Sequence, residues 1–269
     1  MSAGVVLTEV DGRGVAWVTL NRPEVHNAYN RALLDALTAG LEELAARADV
    51  RVLVVKSDGK HFQAGADIAY LREASAFTFE QNLEFSRITT RAMRTLNEFP
   101  ALTIALVNGA CYGGGVGLVA CCDVAICADD AAFGLTEVRI GVVPSPIAYY
   151  LNAAMGVHNV RRYGLTAERF GSGEALRMGL VQEVAARGAL REAAERVIGE
   201  TLSNGPEAVR ITKRLTLEKA GLLLSDEQVE ELAQLGARQR ASDEGREGLS
   251  ARLEKRRPRW APKPAVQVK

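Results

Sequence analysis

The sequence predicts an α/β fold: a core of short buried strands alternating with helices, followed by a helical C-terminal region. Two observations carry this. Up to about residue 200, β-branched runs and amphipathic stretches alternate in β-β-α and β-α order, the pattern of largely buried strands covered by helices. After Asn204-Gly205-Pro206 strand signals stop. Glu207 to Leu253 is nearly all helix formers, with Leu, Val and Ala at three- to four-residue spacing.

The elements follow in order. Val5–Val10 and Val15–Leu20 read as strands joined through Asp11-Gly12-Arg13-Gly14, a hairpin turn. Asn21-Arg22-Pro23 ends the second. Asn30 is placed to cap a helix whose Leu33, Leu34, Leu37, Leu41 and Leu44 share one face. Arg51–Lys56 is a buried strand, Ser57-Asp58-Gly59-Lys60 a turn, and His61–Ala66 a short extended segment. Phe79–Glu98 has helical spacing, with Leu83, Ile88, Met93 and Leu96 available for burial and Pro100 beyond its end. Leu102–Val107 is a strand, Asn108-Gly109 a turn, and Gly113-Gly114-Gly115 opens a helix of small residues reaching about Cys121. Asp123–Ala128 and Ala132–Gly134 are further strands.

Composition excludes several classes of function. Thirty-three basic and 33 acidic residues leave no net charge for tracking nucleic acid or anionic membranes. No apolar run is long enough to span a bilayer. Met1 to Val10 lacks the basic-apolar-small order of a secretory signal, and a cytoplasmic location is expected. The four cysteines, 111, 121, 122 and 127, fall in one apolar stretch without ligand spacing, so they read as small buried residues and not as a metal site. The basic run Glu254-Lys255-Arg256-Arg257-Pro258-Arg259-Trp260 reads as a solvated end, and Ala261 to Lys269 is expected to fray.

Two glycine-bearing loops are candidates for chemistry. Gly113-Gly114-Gly115 begins a helix directly after a strand and turn, where free N–H groups and the helix dipole suit a phosphate or a developing oxyanion. The surrounding residues match neither nucleotide-loop signature. Tight helix–strand packing explains the triple glycine equally well. In Gln63-Ala64-Gly65-Ala66-Asp67, small side chains leave the amides uncovered, while Asp67 also suits a helix cap before Ile68. Each loop could supply one N–H to an oxyanion hole; composition does not show that they meet.

At these loops the chain resembles the crotonase superfamily of enoyl-CoA hydratases and isomerases. The matching segments run in order: Asn21-Arg22-Pro23 with His26-Asn27-Ala28, Phe62 to Ile68, Val107-Asn108-Gly109, Gly113-Gly114-Gly115, Cys122-Asp123 and Phe133-Gly134 with Glu137. They continue through Ile140 to Pro144, Ala175 to Val181, and Glu254-Lys255-Arg256. The resemblance implies a crotonase spiral of ββα repeats over residues 1–198 and a helical oligomerisation region over 199–269 that builds trimers or dimers of trimers. It implies an acyl-CoA thioester substrate with no separate cofactor and no metal. It also implies that the Ala66 and Gly114 amides hold the thioester oxygen, next to Gly113. Ala28, Ala64, Gly65, Asp67 and Ile68 would line the CoA path, and Lys255 would reach the CoA phosphates from a neighbouring subunit.

One departure matters. Ordinary hydratases of this kind use two glutamates; the first falls at Gly117 here, and the second at Glu137. Glu137 is then the candidate acid/base, with a carboxyl that burial would push towards neutrality. Asp67, Glu98 and Asp123 are conceivable substitutes, Asp123 being expected to be structural. Gly117 is expected to leave room near the reacting carbon for a branched or carboxylated acyl chain. Cys111 to Leu118, Phe133 to Gly141 and Tyr163 to Phe170 resemble methylglutaconyl-CoA and isohexenylglutaconyl-CoA hydratases. Arg139 is a candidate partner for a distal carboxylate. Tyr70, Leu71, Tyr112, Ile147 and Tyr150 are candidates for the pocket wall. The expected activity is hydration of a 2-enoyl-CoA; a Δ3,Δ2-enoyl-CoA isomerase and a non-catalytic acyl-CoA-binding homologue are the alternatives.

Overall fold

A computed structural model describes residues 4–74 and 76–262. In chain order the first half contains β1 (Val6–Val10), β2 (Val15–Leu20), α1 (Arg31–Ala45), β3 (Val52–Ser57), α2 (Ile68–Ala74), α3 (Phe79–Asn97), β4 (Leu102–Val107), β5 (Ala110–Tyr112), α4 (Gly114–Ala120) and β6 (Val124–Ala128). The second half contains β7 (Ala132–Gly134), α5 (Ala148–Met155), α6 (Val157–Thr166), β8 (Arg169–Gly171), α7 (Ser172–Met178) and β9 (Glu183–Ala185). Four longer helices close the chain: α8 (Leu190–Leu202), α9 (Pro206–Lys219), α10 (Asp226–Ala241) and α11 (Asp243–Leu253). Most of the segment expected to fray, 263–269, lies outside the described residues.

The predicted hairpin is present, with Val6 opposite Leu20 and Val10 opposite Ala16. β3, β4, β6 and β9 then add in parallel, giving a six-stranded sheet in the order β1-β2-β3-β4-β6-β9. Strand alternation sends successive residues to opposite faces. Ala16, Val18, Leu20, Leu53, Val55, Ala105 and Val107 pack with the α1 leucines. Val15, Trp17, Val52, Val54, Ile104 and Leu106 pack with Leu190, Ala194 and Ile198 of α8. Both faces are covered, which is why these strands are mostly apolar and do not alternate with polar residues. Helix α1 starts where expected: the Asn30 side chain accepts the Leu33 N–H at 3.0 Å. All five predicted leucines are buried, and truncating Leu37 or Leu41 to alanine would cost roughly 2–5 kcal/mol.

Helix α3 departs from expectation. Met93 and Leu96 are buried, but Leu83 and Ile88 are only partly so. The hidden face is largely polar: Asn82, Ser86, Thr89, Thr90 and Asn97 accompany Phe85. Thr89 and Thr90 return their hydroxyls to the Phe85 and Ser86 carbonyls, so a polar residue on this helix need not face solvent.

β5, β7 and β8 form a second, three-stranded sheet in that order. β5 and β7 are parallel, with Tyr112 opposite Gly134. The C-terminal helices fold back over the core: α10 packs along α3, and α11 packs on α2 and on the 3-10 turn Glu137–Ile140. The last contact is intimate, because a Cβ at Gly248 would lie 2.2 Å from the Ile140 carbonyl oxygen. Positions 198 and 199 lie within α8, and the chain turns at 203–205 before α9. All four cysteines are free thiols, Cys122 half-buried and the others buried. Among the described residues, no helix is long and apolar enough to cross a membrane.

Candidate active site

The two glycine-bearing loops do meet. Residues 62 and 63 pair with the chain entering β5: the Phe62 N–H donates to the Asn108 carbonyl (2.7 Å), the Gln63 N–H to Ala110 (3.1 Å), and the Tyr112 N–H to Gln63 (2.9 Å). The Gln63 amide then folds onto its own chain. Its Oε1 accepts the Gly65 N–H at 2.9 Å and its Nε2 donates to the Gly65 carbonyl at 3.3 Å. Gly65 has φ +87°, a conformation that favours glycine. On the other side Tyr29 donates to the Gly65 carbonyl, and the Asp67 N–H donates to the Tyr29 carbonyl, both at 2.9 Å. This parallel bridge uses the groups flanking Ala66, so the Ala66 N–H points away from it. No acceptor meets that N–H among the described residues.

Gly113 turns into α4 with φ +55°, and its N–H is taken by the Gly134 carbonyl at 2.9 Å. Gly114 is the first helical residue, so its N–H has no partner within the helix, and no side chain caps it. The triple glycine is fixed by close neighbours. A Cβ at Gly113 would lie 3.2 Å from Glu137 Oε1 and 3.9 Å from Gly65 Cα. At Gly114 it would meet the Tyr29 ring at 2.9 Å, and at Gly115 the Gln63 Oε1 at 2.7 Å. Both free amides and Glu137 therefore converge around Gly113. The β5–β7 register explains this, since Gly134 lies opposite Tyr112 and Glu137 follows three residues later.

Glu137 opens the 3-10 turn Glu137–Ile140. Its Oε2 is buried without a hydrogen-bond partner among the described residues. Burial pushes the carboxyl up to about 7, against a smaller downward pull from the backbone amides of Glu137 and Thr136. A carboxyl near 7 exchanges protons in both directions at neutral pH. The phenol of Tyr29 is pushed up to about 12, chiefly by burial and also by the Glu137 charge, so Tyr29 stays neutral beside it.

The other expected site residues divide. Ala64 is half-buried and donates to the His26 carbonyl at 3.1 Å. Ala28 is 6% exposed and its carbonyl accepts Arg22 Nη1 at 2.6 Å. Ile68 is 55% exposed at the start of α2. Asp67 is committed to structure: Oδ2 pairs with Arg22 at 2.7 Å and Oδ1 accepts the Ala69 N–H at 2.8 Å. Lys255 lies exposed just past α11.

Of the substitute acids, Asp123 pairs with Lys213 and the Thr103 amide, and Glu98 with Arg94. Arg139 is exposed and donates to the Ala167 carbonyl at 2.6 Å. The expected room at Gly117 is absent. A Cβ there would lie 2.3 Å from Ile147 Cγ2 and 3.0 Å from Ile147 Cβ, so Ile147, itself 2% exposed, fills the space a first acid would need. Sequence reasoning singled out neither Tyr29 nor Gln63. Tyr29 directly follows the matched His26-Asn27-Ala28, which is its signal in the sequence; nothing in the sequence shows that the Gln63 side chain clasps Gly65.

Uncovered amides at a helix N-terminus beside a carboxyl held near neutrality form an arrangement that can stabilise an oxyanion while moving a proton. A sequence profile of the enoyl-CoA hydratase/isomerase family matches residues 11–263. A crotonyl-CoA hydratase of Syntrophomonas wolfei is 32% identical over 249 residues, 90% of this chain and 93% of that one. A peroxisomal Δ(3,5)-Δ(2,4)-dienoyl-CoA isomerase of Arabidopsis thaliana is 29% identical over 90% of this chain and 91% of its own. The crystal structure of an enoyl-CoA hydratase from Mycobacterium avium superposes with a TM-score of 0.85 at 33% identity, covering 97% of this chain and 100% of that one. The chain belongs to the enoyl-CoA hydratase/isomerase family, and the predicted crotonase fold is the one it adopts.

Proposed function

We propose that the protein is an enoyl-CoA hydratase that works with one carboxyl, Glu137. The observation that carries this is the convergence at Gly113 of that carboxyl with the uncovered amides of Ala66 and Gly114. In this reading the two amides receive the thioester oxygen. Ionised Glu137 takes a proton from water as the water oxygen bonds to C3; the C2–C3 π electrons move into the thioester, giving an enolate held by the two amides. Neutral Glu137 then returns the proton to C2. The oxyanion donors matter most in the middle of this sequence, where charge has moved onto oxygen. Gly113 and Gly65 belong to the frame that holds the amides. Ala28, Ala64 and Ile68 border the expected CoA path, Asp67 braces it, and Lys255 of a neighbouring subunit is assigned to the CoA phosphates in a trimer or dimer of trimers. No cofactor is assigned, because CoA arrives with the substrate.

The segments resembling methylglutaconyl-CoA hydratases support a carboxylated acyl chain. Extra room for a branch at Gly117 no longer supports it, because Ile147 occupies that space. A second reading, Δ3,Δ2-isomerisation, is favoured by the single carboxyl, since one group suffices to carry a proton between two carbons. The test is a panel of straight, branched and carboxylated enoyl-CoA esters with products identified by mass. A hydratase adds the mass of one water. A double-bond shift without mass change selects the isomerase. Tight binding with no turnover on any ester refutes both and leaves an acyl-CoA-binding protein.

A further inference from the structure

Helix α10 brings a cation to the aromatic rings beside this site, and among the described residues no acid pairs with it. Arg240 is half-buried in the last turn of α10. Its guanidinium carbon lies 5.5 Å from the centre of the Phe85 ring. Nη1 donates to the Ser86 hydroxyl at 3.2 Å and, at longer range, to the Asn82 carbonyl at 3.4 Å. Among the described residues no carboxylate pairs with it. Phe85 stacks on Tyr70 at 4.1 Å and faces Tyr29 at 6.2 Å, and Tyr29 is the ring that covers Gly114. One aromatic wall therefore runs from the oxyanion loop to the guanidinium.

Polar atoms without partners gather at that far end. Ser145 is 4% exposed and Asn82 1%. Neither Ser145 Oγ nor Asn82 Oδ1 has a hydrogen-bond partner among the described residues, and the Tyr70 hydroxyl is in the same position. Gly236 lies one helical turn before Arg240, on the same face of α10. A Cβ there would sit 2.6 Å from Ser145 Oγ and 3.3 Å from Ser86 Oγ. Glycine thus lets α10 approach these two hydroxyls closely.

A cation partly withdrawn from water and lacking a counter-ion carries a desolvation cost that an incoming anion would offset. The planar guanidinium matches a carboxylate, and neighbouring hydroxyls can complete its hydrogen bonds. We infer that Arg240, with Ser86 and Ser145, receives a carboxylate at the far end of the acyl chain, which makes the site selective for dicarboxylic enoyl thioesters of the glutaconyl type. The inference rests on the assignment of Ala66, Gly114 and Glu137 to the thioester, and it gives Arg240 the role first considered for Arg139.

Saturated esters test it apart from turnover. Binding of glutaryl-CoA and of its uncharged counterpart valeryl-CoA is measured by calorimetry on the full-length protein and on Arg240→Gln and Arg240→Lys. The unaltered protein is expected to prefer glutaryl-CoA by about 30-fold or more. Arg240→Gln is expected to lose or reverse that preference, and Arg240→Lys to keep part of it. Equal affinity of the unaltered protein for the two esters overturns the inference whatever the variants do. So does a preference that survives in folded Arg240→Gln. Failure to bind either ester defeats the thioester assignment itself, whereas tight binding of both without discrimination defeats only the role of Arg240.

Discussion

Replacing Glu137 with glutamine should abolish hydration and at the same time stabilise the protein, with a pH dependence that identifies the cause. Well below 4.5 the carboxyl is neutral in the folded and unfolded chain alike, so its ionisation contributes no difference. As pH rises from 4.5 towards 7, the unfolded chain ionises freely while the folded one resists, and stability is lost across that window. Above about 7 the loss is complete and constant. A carboxyl held near 7 instead of 4.5 corresponds to roughly 3 kcal/mol. Because Glu137 is not wholly sealed from the pocket, water screens part of this, and about 1–3 kcal/mol is expected. Glutamine is nearly isosteric and escapes the penalty. Melting curves of the two proteins should therefore coincide most closely below pH 4.5, separate through neutrality, and stay apart by a few degrees at pH 8. Loss of enoyl absorbance measures the chemistry, which should fall by about 10²–10⁴-fold or more, while affinity for a saturated CoA ester changes little. A melting difference independent of pH would refute the perturbed carboxyl. Near-full hydration by the variant would refute its role.

The remaining predictions follow from the same geometry. Hydration should require ionised Glu137, so kcat/KM should fall about tenfold per pH unit below roughly 7; a flat acid limb down to pH 5 would contradict the assignment. Gln63→Ala removes the clasp on Gly65 and should lower kcat about 10- to 100-fold with a smaller effect on KM, read from saturation curves. Gly117→Glu should not create a second acid. Its side chain would collide with Ile147 and cost about 1–3 kcal/mol, whereas Gly117→Glu combined with Ile147→Ala should recover much of the melting temperature. Asp67→Ala strands Arg22 beside the Ala28 carbonyl and should destabilise the protein by about 3–5 kcal/mol, visible in denaturant titration.

Much of the fold was legible because it depends on local periodicity. The α1 leucines repeat at helical spacing and the Asn30 cap precedes them. The runs Val15–Val18 in β2 and Val52–Val55 in β3 are apolar because helices cover both faces. The buried face of α3 was misread for the same reason: periodicity looks for apolar residues, and this face is made of Asn82, Ser86 and Thr89, which are hidden because α10 lies against them. The glycines announced close approach but not what approaches. Ile147 reaches Gly117, and Gln63 reaches Gly115, through a fold that brings distant segments together. Arg240 carried no signal at all, since a half-buried arginine and an exposed one look alike in sequence. Glu137 was found through resemblance; the parallel register of β5 and β7 then explains why it belongs beside Gly113.

The filled space at Gly117 constrains the chemistry that remains. With two acids, one can activate water while the other supplies the proton to C2, and each can keep an ordinary or moderately shifted pKa. With one, the same carboxyl must be ionised when water adds and protonated a moment later. A carboxyl near 4.5 is a weak base for the first step, and one raised far above 7 is seldom ionised at cellular pH. A value near 7 lies between these failures, and it arises here from burial, opposed only by the weaker pull of the Glu137 and Thr136 backbone amides. The cost falls on folding stability, which is why the loss of activity and the gain in stability expected for Glu137→Gln are consequences of one feature. The Ile147 side chain has a share in this. By occupying the place of a second carboxylate it keeps water and negative charge away from that side of α4, and Ile147→Ala should let water in. Hydration by Ile147→Ala should then show an acid limb displaced to lower pH than that of the unaltered protein. An unchanged limb would mean that Ile147 only fills space.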